Sequence, residues 1–229
     1  MSPATFLCLP AAVLLPLGLI AQSPPRSEIV ELESVEVSAQ KRVQSIQEVP
    51  IPITAHSGTF LEDTGVSQYK DLAPFVPGLF VQQQSPNFPG INIRGVTSET
   101  RVSIFQDGVS ISRATGSNVE LFDLERVEVL KGPQGTLFGR GAEVGALSII
   151  QRKPANATES YLSAGFGRLN ERRLQGHVNS PLGGEHLLGR LALTHISRDG
   201  TVGNLADGSD LNSRDTFAVR PSLRWLPSE

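Results

Sequence analysis

Apolar and polar residues alternate with a period of two over much of the second half of the chain, which predicts strands rather than helices. From Tyr161 to Gly167, Leu162, Ala164 and Phe166 share one face, and Ser163 and Gly165 the other. From Arg173 to Ser180, Leu174 and Val178 oppose Arg173, Gln175, His177 and Asn179. From Leu187 to Ser197, Leu191 and Leu193 oppose Arg190, Ala192 and Thr194. Thr216 to Trp225 is the clearest case: Phe217, Val219, Leu223 and Trp225 face one way, and Thr216, Arg220, Ser222 and Arg224 the other.

The connections between these strands are unequal. A tight turn at Arg168-Leu-Asn-Glu171 comes first, and Pro181-Leu-Gly-Gly184 makes the second. The third, Arg198 to Asp215, is long and rich in Gly, Asn and Asp. Membrane barrels combine alternating strands with short turns on one side and longer loops on the other. If the first strand starts on the inner side, the long loop falls outside and Trp225 returns to an interface that aromatic residues favour. The edge of a soluble β-sandwich has the same alternation. Arg220 and Arg224 on one face argue for a polar lumen instead.

Before Pro154 the pattern is mixed. Val35 and Val37 alternate with polar residues in an isolated stretch. Such a stretch suits either an ordinary first strand or a free segment that pairs with the edge of another protein's sheet. Pro50 to Ala55 reads as a strand with proline at its edge. Phe60 to Leu72 is the best helix candidate, with Leu61, Tyr69 and Leu72 on one side, and Thr64, Gly65 and Pro74 bounding or interrupting it. Pro77-Gly78 is a turn, Leu79 to Gln83 a strand, and Ser85 to Gly90 a loop. Ile91 and Ile93 form a short strand ending at Arg94-Gly95. Val102 to Ile111 carries Asp107-Gly108 at its centre, a strong hairpin signal, because this pair tolerates the positive φ angles of a tight turn. Leu124 to Leu130 alternates again, with Val127 and Val129 opposite Arg126 and Glu128, and Ala146 to Ile150 is the last strand of this half.

Composition narrows the function classes. The 229 residues carry a net charge of -3, which gives no electrostatic footprint for nucleic acid. The single cysteine, Cys8, excludes a disulfide framework and a cysteine metal site. His56, His177, His186 and His195 have no ligand-like spacing. No charged residue precedes Arg26, and Phe6 to Ile20 is almost wholly apolar but broken by Pro10 and Pro16. It is short for a spanning helix and fits an export signal over residues 1–22, though the usual positive start is missing. Gly132, Gly135, Gly139 and Gly141 do not form a phosphate loop, because no Lys-Ser or Lys-Thr follows them. With Asp107, Gly108 and Pro133, they serve turns and close backbone approach. No Ser/His/Asp set or acidic pair with context is present, so the reading is not an enzyme, and no cofactor is called for.

Several segments together resemble the TonB-dependent outer-membrane receptor family. Glu33-Ser-Val-Glu-Val-Ser-Ala-Gln-Lys-Arg42 is similar to the family's TonB box. Val76-Pro-Gly-Leu79, Ile93-Arg-Gly95, Phe105-Gln-Asp-Gly-Val109 and the long run Glu125 to Arg140 match plug motifs in order and spacing. Pro181-Leu-Gly183 and Leu223-Arg-Trp225 look like early barrel strands. The match departs from the family at Glu143, Val144 and Ser148.

The resemblance implies an α+β plug domain, a small mixed sheet with short helices, followed by about four antiparallel strands of an incomplete transmembrane β-barrel. The expected layout is a signal at 1–22, a flexible leader with the TonB box at 23–45, the plug at 46–154 and the start of the barrel at 155–229. A complete barrel of this kind has about 22 strands and a plugged lumen. Four strands leave open edges, so the chain reads as a fragment, one half of a split gene or a decayed copy.

The implied function is TonB-energised uptake of a scarce ligand, a ferric siderophore in the first instance, at the bacterial outer membrane. The alternative is a truncated product without transport, or a periplasmic binding or signalling module made of the plug alone. The implied partners are the periplasmic domain of TonB with its inner-membrane energising complex, a small-molecule ligand and outer-membrane lipid. The TonB box would place Glu33, Ser34, Val35, Glu36, Val37, Ser38 and Ala39 in the partner's grip. Arg94, Glu128 and Arg140 are candidates for plug–barrel ion pairs. Ligand contacts are expected from apical loops: Gln83, Gln84 and Asn87, then Ser98 and Arg101, then Arg113.

Overall fold

A computed structural model gives the fold and describes residues 36–37, 44–85, 88–96, 102–111, 120–139 and 141–227. In chain order, β1 (Glu36–Val37) pairs antiparallel with β2 (Gln44–Ser45). β3 (Ile53–Ser57) begins three residues later than Pro50, because Pro50 and Pro52 have no N–H to give a ladder. Pro52 contributes its carbonyl instead, which accepts from the Lys131 N–H at 2.9 Å.

The segment expected as one helix from Phe60 to Leu72 forms two. α1 (Gly58–Asp63) is capped by Ser57, whose Oγ accepts from the Phe60 N–H at 3.2 Å. Gly65 at φ +71° ends it. α2 (Tyr69–Leu72) starts with a capping box in which Gln68 and Asp71 satisfy each other's free N–H groups. Leu61, Tyr69 and Leu72 do share the buried side.

β4 (Leu79–Ser85) and β5 (Phe88–Ile93) form a hairpin tighter than the expected loop, since pairing continues to Ser85 and Phe88. β6 (Val102–Gln106) and β7 (Val109–Ile111) are joined by Asp107 at φ 48° and Gly108 at φ 81°, the turn that the Asp-Gly pair predicts. β8 (Leu124–Lys131), α3 (Gly135–Phe138) and β9 (Gly145–Gln151) follow. The glycine-rich run thus holds a short helix that was read only as turns. Phe138 closes that helix edge-on to Phe105, with ring centroids 4.8 Å apart.

The strands β3-β8-β9-β6-β7 form one sheet in that order, antiparallel except for the β6–β9 pair. One face packs on α1, α2 and the β4–β5 hairpin through Leu61, Tyr69, Leu72, Ile93, Ile104, Val127, Val129, Leu147 and Ile149. The other face holds a smaller core of Val37, Val49, Phe105, Leu130, Ala142 and Ala146. Because both faces are covered, the polar side expected for β8 is not solvated: Glu128 is fully buried. Gly145 is required where β9 passes β8, since a Cβ there would lie 2.4 Å from the Leu130 carbonyl oxygen.

A second sheet contains β10 (Glu159–Phe166), β11 (Arg172–Gly183), β12 (Leu187–Arg198) and, after the small hairpin of β13 (Val202–Gly203) and β14 (Asp210–Leu211), β15 (Arg214–Trp225). Its order is β10-β11-β12-β15, all antiparallel. β11 continues to Gly183 instead of turning at Pro181. Proline is tolerated there because the pairing of β11 with β10 ends at Asn179, opposite Glu159, leaving that side of β11 free. Leu162, Phe166, Leu174, Val178, Leu191, Phe217, Val219, Leu223 and Trp225 are exposed on the outer face. Asn179, Arg190, Ala192 and Thr194 are buried on the inner face, against the first domain. The second half therefore has the outward apolar face that its alternation predicts, whereas its inner face is mixed, with Leu188, Ala192 and Ile196 buried beside Arg190 and Thr194.

Candidate functional site at the seam between the two sheets

The seam begins at the covalent crossover. Asn179 on β11 clasps the linker that follows Pro154: its Nδ2 donates to the carbonyls of Ala155 and Ala157 at 2.8 and 2.5 Å, and its Oδ1 accepts from the Ala155 N–H at 3.1 Å. One buried amide thereby satisfies three backbone groups that irregular chain would otherwise leave unpaired.

Asp123, immediately before β8, is the centre of the seam. Arg190 on β12 brings its guanidinium to the carboxylate, with Nε at 3.0 Å from Oδ2 and 3.2 Å from Oδ1, and Nη2 also donating to Oδ1. Its remaining nitrogen, Nη1, donates to Glu159 Oε1 at 2.6 Å. Arg220 on β15 donates from Nη2 to Asp123 Oδ2 at 2.7 Å and to the Asp123 carbonyl at 2.6 Å. The Arg220 guanidinium also lies 4.9 Å from the ring centroid of Phe122, in cation–π range. His177 on β11 places Nδ1 at 3.6 Å from Oδ1. Three consecutive strands of the second sheet thus converge on one carboxylate of the first domain.

Two further contacts extend the seam. Arg214 at the start of β15 donates to Glu120 and, at 3.3 Å, to Ser67 Oγ. Burial pushes the Glu120 carboxyl above the ordinary glutamate range, and Arg214 only partly offsets this. Arg173 on β11 donates to the Gly65 carbonyl at 3.2 Å. Between these contacts lies Glu62 of α1, lining two voids of about 10 Å³ each, near the least room that one water requires. Burial raises its carboxyl as well, against the pull of Arg152.

A separate hollow of about 630 Å³ opens near the leading segment, lined by Glu36, Phe105, Asp107, Arg126, Phe138 and Lys153 among others. Glu36 is exposed, whereas Val37 beside it is fully buried against the smaller core.

Residues 45–146 match the TonB-dependent receptor plug domain. The chain carries a TonB-dependent receptor plug. It is 30% identical to the pesticin receptor of Yersinia enterocolitica over 225 residues, 95% of this chain and 33% of that protein. It is 26% identical to the ferrioxamine B receptor of Salmonella typhimurium, over 90% of this chain and 30% of that protein. The crystal structure of the ferric yersiniabactin uptake receptor FyuA from Yersinia pestis superposes with a TM-score of 0.73 at 30% identity, over 77% of this chain and 29% of that one. The chain thus spans about a third of the length of these curated relatives. The plug and the partial barrel wall are both accounted for by this likeness.

The plug's sequence-predicted site residues are placed unevenly. Of the TonB-box candidates, Glu36 and Val37 are described, and they pair within the chain, with Ser45 and Gln44, rather than standing free. Glu33, Ser34, Val35, Ser38 and Ala39 lie outside the described residues. Glu128 is paired with Arg126 of its own strand, at 2.8 Å, and so points its charge into the plug. Arg94 is exposed at a left-handed turn (φ 55°), where its N–H donates to the Gly78 carbonyl. Arg140 lies outside the described residues. Among the described residues, Asp123 and Glu120 form ion pairs with Arg190, Arg214 and Arg220 of the second sheet, pairs that the expected set did not include.

The backbones of Gln83 and Gln84 fall near the tip of the β4–β5 hairpin, while Asn87, Ser98, Arg101 and Arg113 lie outside the described residues. Gly132 and Gly139 take positive φ, Gly135 opens α3, and Pro133 sits between β8 and α3. Sequence reasoning missed Asp123 and Glu120. The available signal was a lone acid in the apolar run Leu121-Phe-Asp-Leu124, ahead of strands that carry arginine on one face.

Proposed function

We propose that this chain is the plug-bearing part of an outer-membrane receptor that takes up a scarce ligand, a ferric siderophore, using energy delivered by the periplasmic domain of TonB. The observation that carries the reading is the second sheet: apolar residues outward, arginines inward, and the inward charges met by a plug. Only a surrounding that is itself apolar makes that distribution favourable, and a bilayer is such a surrounding. The relatives named above support the ligand class, since their names refer to ferrioxamine B and ferric yersiniabactin.

In this reading, residues 1–22 direct export, residues 23–45 carry the TonB box, residues 46–154 are the plug and residues 155–229 begin the barrel. On coupling, the segment Glu33 to Ala39 would exchange the internal pairing of Glu36 and Val37 with Ser45 and Gln44 for strand pairing with the partner. Main-chain pairing tolerates varied side chains but not the loss of an N–H. A Val37→Pro change in a full-length receptor carrying this region should therefore abolish energised uptake and leave ligand binding intact. Uptake of a labelled ferric siderophore, beside equilibrium binding to the same membranes, tests this. Undiminished uptake would refute it.

A further inference from the structure

We propose that Asp123 is a positioning residue that pins the plug strand β8 to the barrel wall. The inference rests on reading the two sheets as plug and wall, but its test uses neither ligand nor TonB, so it can fail separately from the transport proposal.

Three observations converge on it. First, Asp123 is the residue on which strands far apart in sequence meet: Arg190 and Arg220 are 67 and 97 residues away. Second, its backbone is held at φ 50°, a left-handed conformation that non-glycine residues adopt uncommonly. Aspartate and asparagine tolerate it better than most. That conformation aims the carboxylate at the wall while the next residue enters β8. Third, its carbonyl is also engaged, accepting from Arg220 Nη2 and, at 3.3 Å, from the Arg152 N–H. Side chain and backbone of one residue thus hold β12, β15 and the segment leaving β9.

β8 itself lies between β3 and β9. Its far end carries Leu130, which packs in the same small core as Val37 of the leading segment. A displacement of that segment therefore bears on a strand whose other end is anchored. Removing the carboxylate charge would leave the half-buried Arg220 against the plug without its counter-ion, and breaking a partly buried pair in this one-sided way is the costly case. Arg190 would retain Glu159.

The test is hydrogen–deuterium exchange on this chain in detergent micelles. The peptide spanning Phe122 to Lys131 reports the pinned strand, and the peptide spanning Leu79 to Val81 is the internal control. Asp123→Asn keeps the shape and the left-handed backbone and removes only the charge. It should speed exchange in the pinned strand by about tenfold or more, with the control unchanged. Arg220→Gln, on a different strand, should give the same local pattern. The double variant should fall short of the product of the two, because both remove one interaction. Asp123→Glu, which restores the charge, should recover part of the protection.

Exchange within about twofold of the parent in both single variants, or effects that multiply, would overturn the proposal. So would an increase spread equally over the control. If Asp123→Asn yields no folded protein, Arg220→Gln decides alone: local acceleration supports the pin, and its absence removes it.

Discussion

In the plug, β8 is covered on both sides, with Val127 and Val129 in the larger core and Leu130 in the smaller. In the wall, β15 turns Phe217, Val219, Leu223 and Trp225 outward, each more than half exposed, and sends Arg214 and Arg220 inward to carboxylates of the plug. The same strand chemistry yields opposite layouts. The plug sheet is built as in a water-soluble domain, with its stability inside itself. The wall keeps its apolar surface for an external solvent and uses charge as its internal adhesive. Alternation of residue types therefore identifies a strand in both cases, but only the sign of the buried face shows which solvent it is made for.

The largest test of this contrast is a cavity in the plug. Ile149 is fully buried in the larger core, and Ile149→Ala should lower stability by about 2–5 kcal/mol. Thermal or denaturant unfolding monitored in the plug would read it. A loss no greater than that of an exposed substitution would break the claim that the plug has a dry core of its own.

Next in size is a charge on the outer face of the wall. Val219→Arg, near the middle of β15, should cost about 2–4 kcal/mol in a bilayer. Thr216→Arg, on the opposite face of the strand, should cost much less. Folding equilibria in lipid vesicles compare the two, and equal costs would mean that the outward face does not meet lipid.

A smaller effect is expected at a local cap in the plug. Ser57→Ala removes the acceptor for the Phe60 N–H and should cost about 1 kcal/mol. Because Ser57 is not among the contacts of the wall arginines Arg173, Arg190, Arg214 and Arg220, the change should leave wall–plug docking intact in the exchange assay.

The smallest is a pH effect at the seam. Burial raises the carboxyls of Glu62 and Glu120 above the ordinary value of 4.5. Below that value both are protonated whether the chain is folded or not, and their contribution is fully present. As pH rises through the raised folded values, the folded state must ionise buried carboxyls, and that contribution is lost. Glu62→Gln should therefore flatten part of the fall in stability as pH rises above about 4.5. A stability profile identical to the parent's would remove Glu62 from the seam's titration.

Much of this was legible along the chain. The four wall strands follow the period of two, and Asp107-Gly108 marks its hairpin, because both signals are local. The two helices were legible as a single interrupted one, since Thr64, Gly65 and Pro74 show where a helix cannot run but not which side of each break survives. α3 was hidden because glycines that permit turns also permit a short helix once Phe138 has Phe105 to pack on. Glu128 is a candidate for pairing with the barrel in sequence because its charge is visible there, whereas its ion pair with Arg126, two residues before on the same strand, is not. Asp123 was missed for the complementary reason: its partners lie 67 and 97 residues away, and no local pattern encodes such pairs.

The inward arginines also bear on strand register. Should β12 slip by one residue against β11 and β15, Arg190, Ala192 and Thr194 would turn toward lipid, and Leu191 and Leu193 would be pressed against the plug's carboxylates. The displaced guanidinium alone carries a penalty of about 2–4 kcal/mol at the bilayer midplane. The plug's carboxylates thus fit one register of β12 and penalise its neighbour.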